Sequence, residues 1–200
     1  RAGYRSVALH GNSGRFFERR EAFRRMGFDR LLFLEELREE MNAPVSLWGV
    51  RDDVVLSLSR RLLDEKPPGE RHLHYIITLT SHQPFIYLEP EEHLFLPGRR
   101  DIRSRYFNSM NFVDRQLAAY SDGLAAGTLL IIFGDHRAMV EYEADAGTGA
   151  MRPPQHVPLL IHCQGDRLAG RQRSRGSPAA LSGELTMLDA ASYIRRMFLQ

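Results

Sequence analysis

Three short apolar runs along the chain each stop at a histidine. Ser6-Val-Ala-Leu-His10 is one, His74-Tyr-Ile-Ile-Thr-Leu-Thr-Ser-His82 is the second, and Leu129-Leu-Ile-Ile-Phe133 leads through Gly134 into Asp135-His136. Runs of this length and texture predict strands, and their continuous rather than alternating apolar character is that of strands covered on both faces. Laid side by side as parallel strands, they deliver His10, His82, Asp135 and His136 to one carboxyl edge, where open α/β sheets bind ligands.

The segments between the runs supply the helices. Ser13 or Asn12 is placed to cap a helix running to Met26, with Gly27 behind it. Phe16, Phe23 and Met26 would face inward, and Arg15, Arg19, Arg20, Arg24 and Arg25 would form a mostly solvated face. A short apolar segment, Leu31 to Leu34, passes into a charged stretch ending at the Asn42-Ala-Pro44 turn. Asp52 is placed to cap a helix through Val55, Leu58, Leu62 and Leu63, which Pro67-Pro-Gly69 stops. A loop rich in Pro, Glu and His follows His82 as far as Arg100. Asp101 then caps a long helix whose stripe is Ile102, Tyr106, Met110, Val113, Leu117, Tyr120 and Leu124, closed by Gly127. Strand, loop, helix and strand make a crossover, which predicts parallel pairing of the second and third runs. Arg137 to Pro154 reads as a long loop beside the site, and Gln155 to Cys163 as a further strand kept towards an edge by Pro158. Asp166 to Gly176 reads as a surface loop. A last helix is expected from Thr186, with Asp189 three residues on, through Ile194 and Phe198.

Two hundred residues with 43% apolar character suffice for one domain with a sizeable core. No apolar run approaches the roughly 20 residues of a membrane-spanning helix. The chain opens directly on a predicted strand, the expectation for a cut through a larger fold. Cys163 is the only cysteine, which excludes an internal disulfide, and Lys66 is the only lysine among 27 basic residues. That arginine bias reads as genomic base composition. With no aromatic-interleaved basic stripe it gives no argument for nucleic acid.

The chemistry concentrates at the strand ends. A carboxylate and an imidazole side by side, Asp135 and His136, suit a divalent cation able to polarise a phosphoryl or sulfuryl oxygen, although an aspartate after a strand can also simply cap the next turn. His82 could be a ligand, a donor to a developing oxyanion or a packed loop histidine. His10 poses the same choice, and Arg19 joins it if the amino end of its helix faces the same cleft. His72, His74, His93, His156 and His162 read as structural or surface residues. Ser13, Thr80 and Ser81 lie near the rim, but spacing sets no base against them.

Taken in order, several motifs resemble the lipoteichoic acid synthase and phosphoglycerol transferase branch of the sulfatase/alkaline phosphatase superfamily. They are His10-Gly-Asn with Phe16-Phe-Glu-Arg19, Gly27-Phe-Asp29, Trp48-Gly-Val-Arg-Asp52, Leu79-Thr-Ser-His-Gln-Pro-Phe85, Tyr106-Phe-Asn-Ser-Met-Asn-Phe-Val-Asp114, Ile132-Phe-Gly-Asp-His136 and Val157-Pro-Leu-Leu-Ile161. The resemblance implies an α/β/α sandwich of alkaline-phosphatase/sulfatase type with a mainly parallel central sheet. Residues 1–200 would be the carboxyl-terminal part of its catalytic domain, on the extracytoplasmic face of a bacterial membrane and tethered by upstream helices. It implies one divalent ion, Mn first with Mg, Ca or Zn as alternatives, held in part by Asp135 and His136. It implies a lipid-linked or anionic phosphate or sulfate substrate bound by His10, Asn12, Arg19 and His82, with His82 also catalytic, and a threonine nucleophile and further acidic ligand upstream. Lipoteichoic acid synthases carry aspartate where this chain has Asn12 and tryptophan where it has Phe17, so the headgroup is open. Phosphoglycerol transfer is the leading expectation. A sulfatase or phosphodiesterase of the same superfamily is the first alternative, and a non-catalytic binding or sensor domain the second.

Overall fold

The structure is a computed structural model that describes residues 3–46, 48–136, 138, 140 and 157–165. It divides into two units, the first built on residues up to Leu124 and the second holding 125–137 and the chain from 152.

In the first unit, strands β1 (Tyr4–His10), β2 (Arg30–Leu32) and β3 (Arg71–Ile77) form a parallel sheet in the order β2-β1-β3. β1 is central because both neighbours bond to it: Leu9 lies beside Leu32 on one side and Ile76 on the other, and His10 lies beside Ile77. Side chains alternate across a strand, so Val7 and Leu9 face one layer. There they pack in a buried cluster with Leu32, Leu37, Val55 and Leu58, which brings helices α2 (Leu34–Met41) and α3 (Asp52–Asp64) onto that face. Each fully buried leucine there contributes about 1.5–3 kcal/mol. Tyr75, beside Ala8, points to the opposite layer, where Phe23 of helix α1 (Arg19–Arg25) and Phe28 close on it at ring-centroid distances of 5.6 and 6.1 Å. Helices on both faces of a parallel sheet are the expected α/β/α layering.

Several local expectations change. The helix after β1 does not begin at Asn12 or Ser13. Phe17 and Glu18 adopt left-handed φ of 55° and 54°, and α1 starts only at Arg19. Of its supposed inward residues only Phe23 packs inward; Phe16 and Met26 are 41% and 71% exposed. The charged stretch before Asn42 is itself helix α2, which presents Leu37 to the core while Arg20 pairs with Glu35 and Glu36. Helix α4 (Ile102–Asp122) is capped by Asp101, whose carboxylate accepts from the Ser104 N–H and hydroxyl. Its buried arc is rotated towards Ser104, Asn108, Ser109 and Phe112, leaving Ile102 and Met110 about two-fifths exposed. Asn108 supplies the reason: its side-chain oxygen accepts the N–H groups of Phe95 and Leu96 and its NH2 donates to the Leu96 carbonyl, so a polar side chain must face in to hold the preceding loop. The helix ends at Gly123, and Gly127, at φ +83°, instead turns the chain into the next strand.

In the second unit, β4 (Leu129–Phe133) pairs antiparallel with β5 (Leu159–Cys163), from Leu129 opposite Cys163 to Phe133 opposite Leu159. A helical crossover between the second and third runs permits parallel pairing but does not compel it, and among the described residues the ladder of β4 is with this later strand. Phe133 is 38% exposed, so the run is not buried throughout. Pro158 sits just before β5 and accepts from the Gly134 N–H, which avoids the donor it lacks. The predicted loop 166–176, the helix from Thr186, His156 and most of the loop 137–154 lie outside the described residues.

Candidate functional site

β1 and β3 run parallel, so their carboxyl ends lie together and the loops that leave them meet. His10, 4% exposed, closes β1, and its Nδ1–H donates to the Ile77 carbonyl of β3 at 2.8 Å. A carbonyl only accepts, so Nδ1 carries a proton and Nε2 is the acceptor of the neutral ring. The next residue is locked against a second loop. The Val50 N–H donates to the Gly11 carbonyl at 2.9 Å, and a Cβ on Gly49 would lie 2.1 Å from that carbonyl oxygen. Only glycine allows the two backbones to approach so closely.

Asn12 turns the loop. Its Oδ1 accepts the Ser13 N–H, and its own carbonyl accepts the Leu34 N–H at 3.1 Å, which leaves the amide NH2 as its donating end. Glu35 then fastens Ser13 and Gly14 by accepting from the Ser13 hydroxyl at 2.6 Å and the Gly14 N–H at 3.2 Å. Ser13 is therefore held by a carboxylate of α2, an anchor that spacing did not reveal.

The left-handed turn at Phe17 and Glu18 leads into Arg19. Two non-glycine residues in that conformation cost roughly 1–2 kcal/mol each, and the turn leaves Phe17 80% exposed. Arg19 Nη1 is buried without a hydrogen-bond partner, and burial lowers the guanidinium pKa from its ordinary value. A buried, unpaired guanidinium N–H is costly, and an incoming anion would relieve that cost.

Phe16 makes an edge contact with Trp48 at 6.0 Å, and Trp48 lies against the His82 ring at 5.7 Å with the planes 36° apart. His82 itself is exposed and its Nδ1–H donates to the Gln83 carbonyl at 2.7 Å, again assigning Nε2 as the acceptor of the neutral form. Its backbone closes a turn through an N–H bond to the Leu79 carbonyl at 2.8 Å.

Asp52 anchors that turn. Sequence spacing makes it a helix cap, whereas its two carboxylate oxygens accept the Leu79 and Thr80 N–H groups at 2.7 and 2.9 Å, and its own N–H donates to the Thr80 hydroxyl. Burial pushes its pKa up to about 6 against the pull of those donors. Thr80 is fully buried in this arrangement, so its hydroxyl serves Asp52 and is not presented at the rim.

Aromatic contacts thus link Phe16, Trp48 and His82, the His10 bond to Ile77 sits at the same pair of strand ends, Asn12 lies on the loop between β1 and α1, and Arg19 opens α1. Asp135 and His136 follow β4 in the other unit. Both are more than half exposed, and His136 Nε2 lies 3.7 Å from Asp135 Oδ1. One hard oxygen and one imidazole nitrogen from consecutive residues fit part of the shell of a divalent ion. Among the described residues no group of three or more His, Cys, Asp or Glu gathers to complete it.

The model of the sulfatase family matches residues 1–186. Lipoteichoic acid synthase 2 of Bacillus subtilis is 26% identical over 179 residues, which cover 81% of this chain and 27% of that relative. Among solved structures, the lipoteichoic acid synthase LtaP from Listeria monocytogenes superposes with a TM-score of 0.63 at 17% identity, over 82% of this chain and 44% of that one. The phosphoglycerol transferase GacH of Streptococcus pyogenes, solved with sn-glycerol-1-phosphate, gives 0.59 at 20% identity, over 80% of this chain and 43% of its own. The chain therefore spans about a quarter of that curated relative and less than half of either solved chain.

Proposed function

The chain belongs to the sulfatase family, on its lipoteichoic acid synthase and phosphoglycerol transferase branch, and from that premise we propose that it forms the headgroup-binding part of a metal-dependent phosphoglycerol transferase. Residues 1–200 would be a portion of the catalytic domain, acting on a lipid-linked donor at the extracytoplasmic face of a bacterial membrane. A threonine outside these residues would receive the phosphoglycerol group before it passes to an acceptor hydroxyl.

The observation that carries this reading is Arg19, whose buried Nη1 has no partner at the start of α1, reached from His10 at the end of β1 through the loop that bears Asn12. A phosphate oxygen satisfies a guanidinium fork directly. His82 would donate from a protonated ring to a non-bridging oxygen and stabilise it as charge builds, and neutral His10 would accept a glycerol hydroxyl at Nε2. The Asn12 NH2 would donate to the headgroup. Asp135 and His136 would hold one divalent ion, Mn first, which when bound supplies Lewis-acid polarisation of a phosphate oxygen.

Binding of sn-glycerol-1-phosphate, followed by calorimetry with Mn present, tests the assignment. Arg19→Gln should weaken glycerol phosphate at least tenfold, about 1.4 kcal/mol, and leave Mn binding in place. His136→Ala should do the reverse. Unchanged glycerol phosphate affinity in Arg19→Gln would remove the headgroup reading. Turnover of a soluble sulfate ester without glycerol phosphate binding would instead favour the hydrolase.

A further inference from the structure

We propose that Asp52 and Trp48 are positioning residues for His82, acting from one short stretch of chain on its backbone and on its ring. His82 ends a turn whose first carbonyl, that of Leu79, accepts its N–H at 2.8 Å. The two leading N–H groups of that turn, from Leu79 and Thr80, both end on the buried Asp52 carboxylate at 2.7 and 2.9 Å. Asp52 returns its own N–H to the Thr80 hydroxyl at 3.0 Å, so the beginning of the turn is held by three bonds to one residue of α3. Four residues earlier, Trp48 lies against the imidazole at 5.7 Å. Gly49 cannot drift, because its backbone is pressed against the Gly11 carbonyl and Ser46 brackets it from the other side through reciprocal backbone bonds at 3.0 and 2.7 Å.

The combination fixes a ring that is otherwise on the surface. An exposed histidine samples several rotamers and favours the Nε2–H tautomer in water, whereas here Nδ1–H is committed to the Gln83 carbonyl at 2.7 Å. A turn fixed at its beginning and an indole against the ring hold that short bond in place, and they present Nε2 in one direction. The role of His82 towards a phosphate oxygen rests on the phosphoglycerol reading above; its orientation by Asp52 and Trp48 does not.

The test is the tautomer of His82, read by long-range imidazole 1H–15N correlation in the protein labelled at histidine, with His82→Gln assigning the resonance. In the parent protein His82 should be mainly the Nδ1–H form. Asp52→Asn puts an NH2 against one of the two N–H donors, and Trp48→Ala removes the indole; each should move His82 towards the Nε2–H form. His10, whose Nδ1–H bond is to Ile77, should stay as it is in Trp48→Ala, which separates positioning from general loosening. If Asp52→Asn does not fold, Trp48→Ala decides alone. A His82 ring that keeps its Nδ1–H tautomer in every variant that folds, or that shifts in Trp48→Ala only together with His10, would overturn the proposal. Titrating sn-glycerol-1-phosphate into the parent keeps the two readings apart. If the variants shift His82 but glycerol phosphate leaves it unmoved, positioning stands and the headgroup reading falls.

Discussion

Lowering the pH should act on this protein first through His74, a residue that the sequence marks only as structural or surface. Its Nδ1 lies 2.8 Å from the Ser59 hydroxyl, which lies 2.7 Å from the Tyr120 hydroxyl, and its Nε2 is 3.3 Å from His72 Nδ1. His72 Nε2 in turn faces the Glu70 carboxylate at 3.3 Å. A proton on His74 would place a charge where burial, aided by repulsion from His72, lowers its pKa from 6.5 to about 4.

In the unfolded chain the same ring titrates at its ordinary value, so between about pH 6.5 and 4 the unfolded state binds more protons and stability falls as the pH falls. From about pH 7.5 to 5 the loss is about 2 kcal/mol. Asp52 works in the opposite sense. Its carboxyl, at about 6 rather than 3.8, binds a proton in the folded state first, which returns about 1 kcal/mol over the same interval. For these two groups the parent should therefore lose less than His74 alone would cost. His74→Leu removes the opposing half and should become more stable by about 1 kcal/mol on the same acidification, whatever its stability at neutral pH. Urea denaturation followed by circular dichroism at both pH values measures the two slopes. Parallel slopes for parent and His74→Leu would refute the linkage.

Two further outcomes follow from packing. Gly49→Ala would place its Cβ 2.1 Å from the Gly11 carbonyl oxygen at φ +155°, and should cost roughly 2–4 kcal/mol in denaturant unfolding; a loss below about 0.5 kcal/mol would mean the two loops separate easily. Asn108→Ala removes three bonds to the Phe95–Leu96 segment, and should cost about 2–3 kcal/mol and speed amide exchange at both residues. Unchanged protection at Phe95 and Leu96 would show that something else holds that loop.

What the sequence made legible divides along a physical line. Strand runs ending in histidine are local patterns, so β1 and β3 and the exit of His10 and His82 from their ends could be read directly, and the α/β layering with them. Helix α2 was also written locally, with Leu34, Leu37 and Met41 at helical spacing, but six charged or amide side chains between them and after them obscured it. The partner of β4 was not local at all. Its apolar run is equally fit for a parallel or an antiparallel neighbour, and only the ladder from Leu129–Cys163 to Phe133–Leu159 chooses. Asp52 is the sharpest case. An aspartate before a helix has two ways to satisfy its carboxylate, the N–H groups of its own first turn or donors brought from elsewhere, and a single sequence favours the nearer. Here the turn after β3, 27 and 28 residues on, supplies two N–H groups at bonding distance, and the buried carboxylate takes those. The same choice that defeats the local reading ties the loop bearing His82 to α3, so the residue whose role the sequence missed is the one that aims a residue the sequence had found.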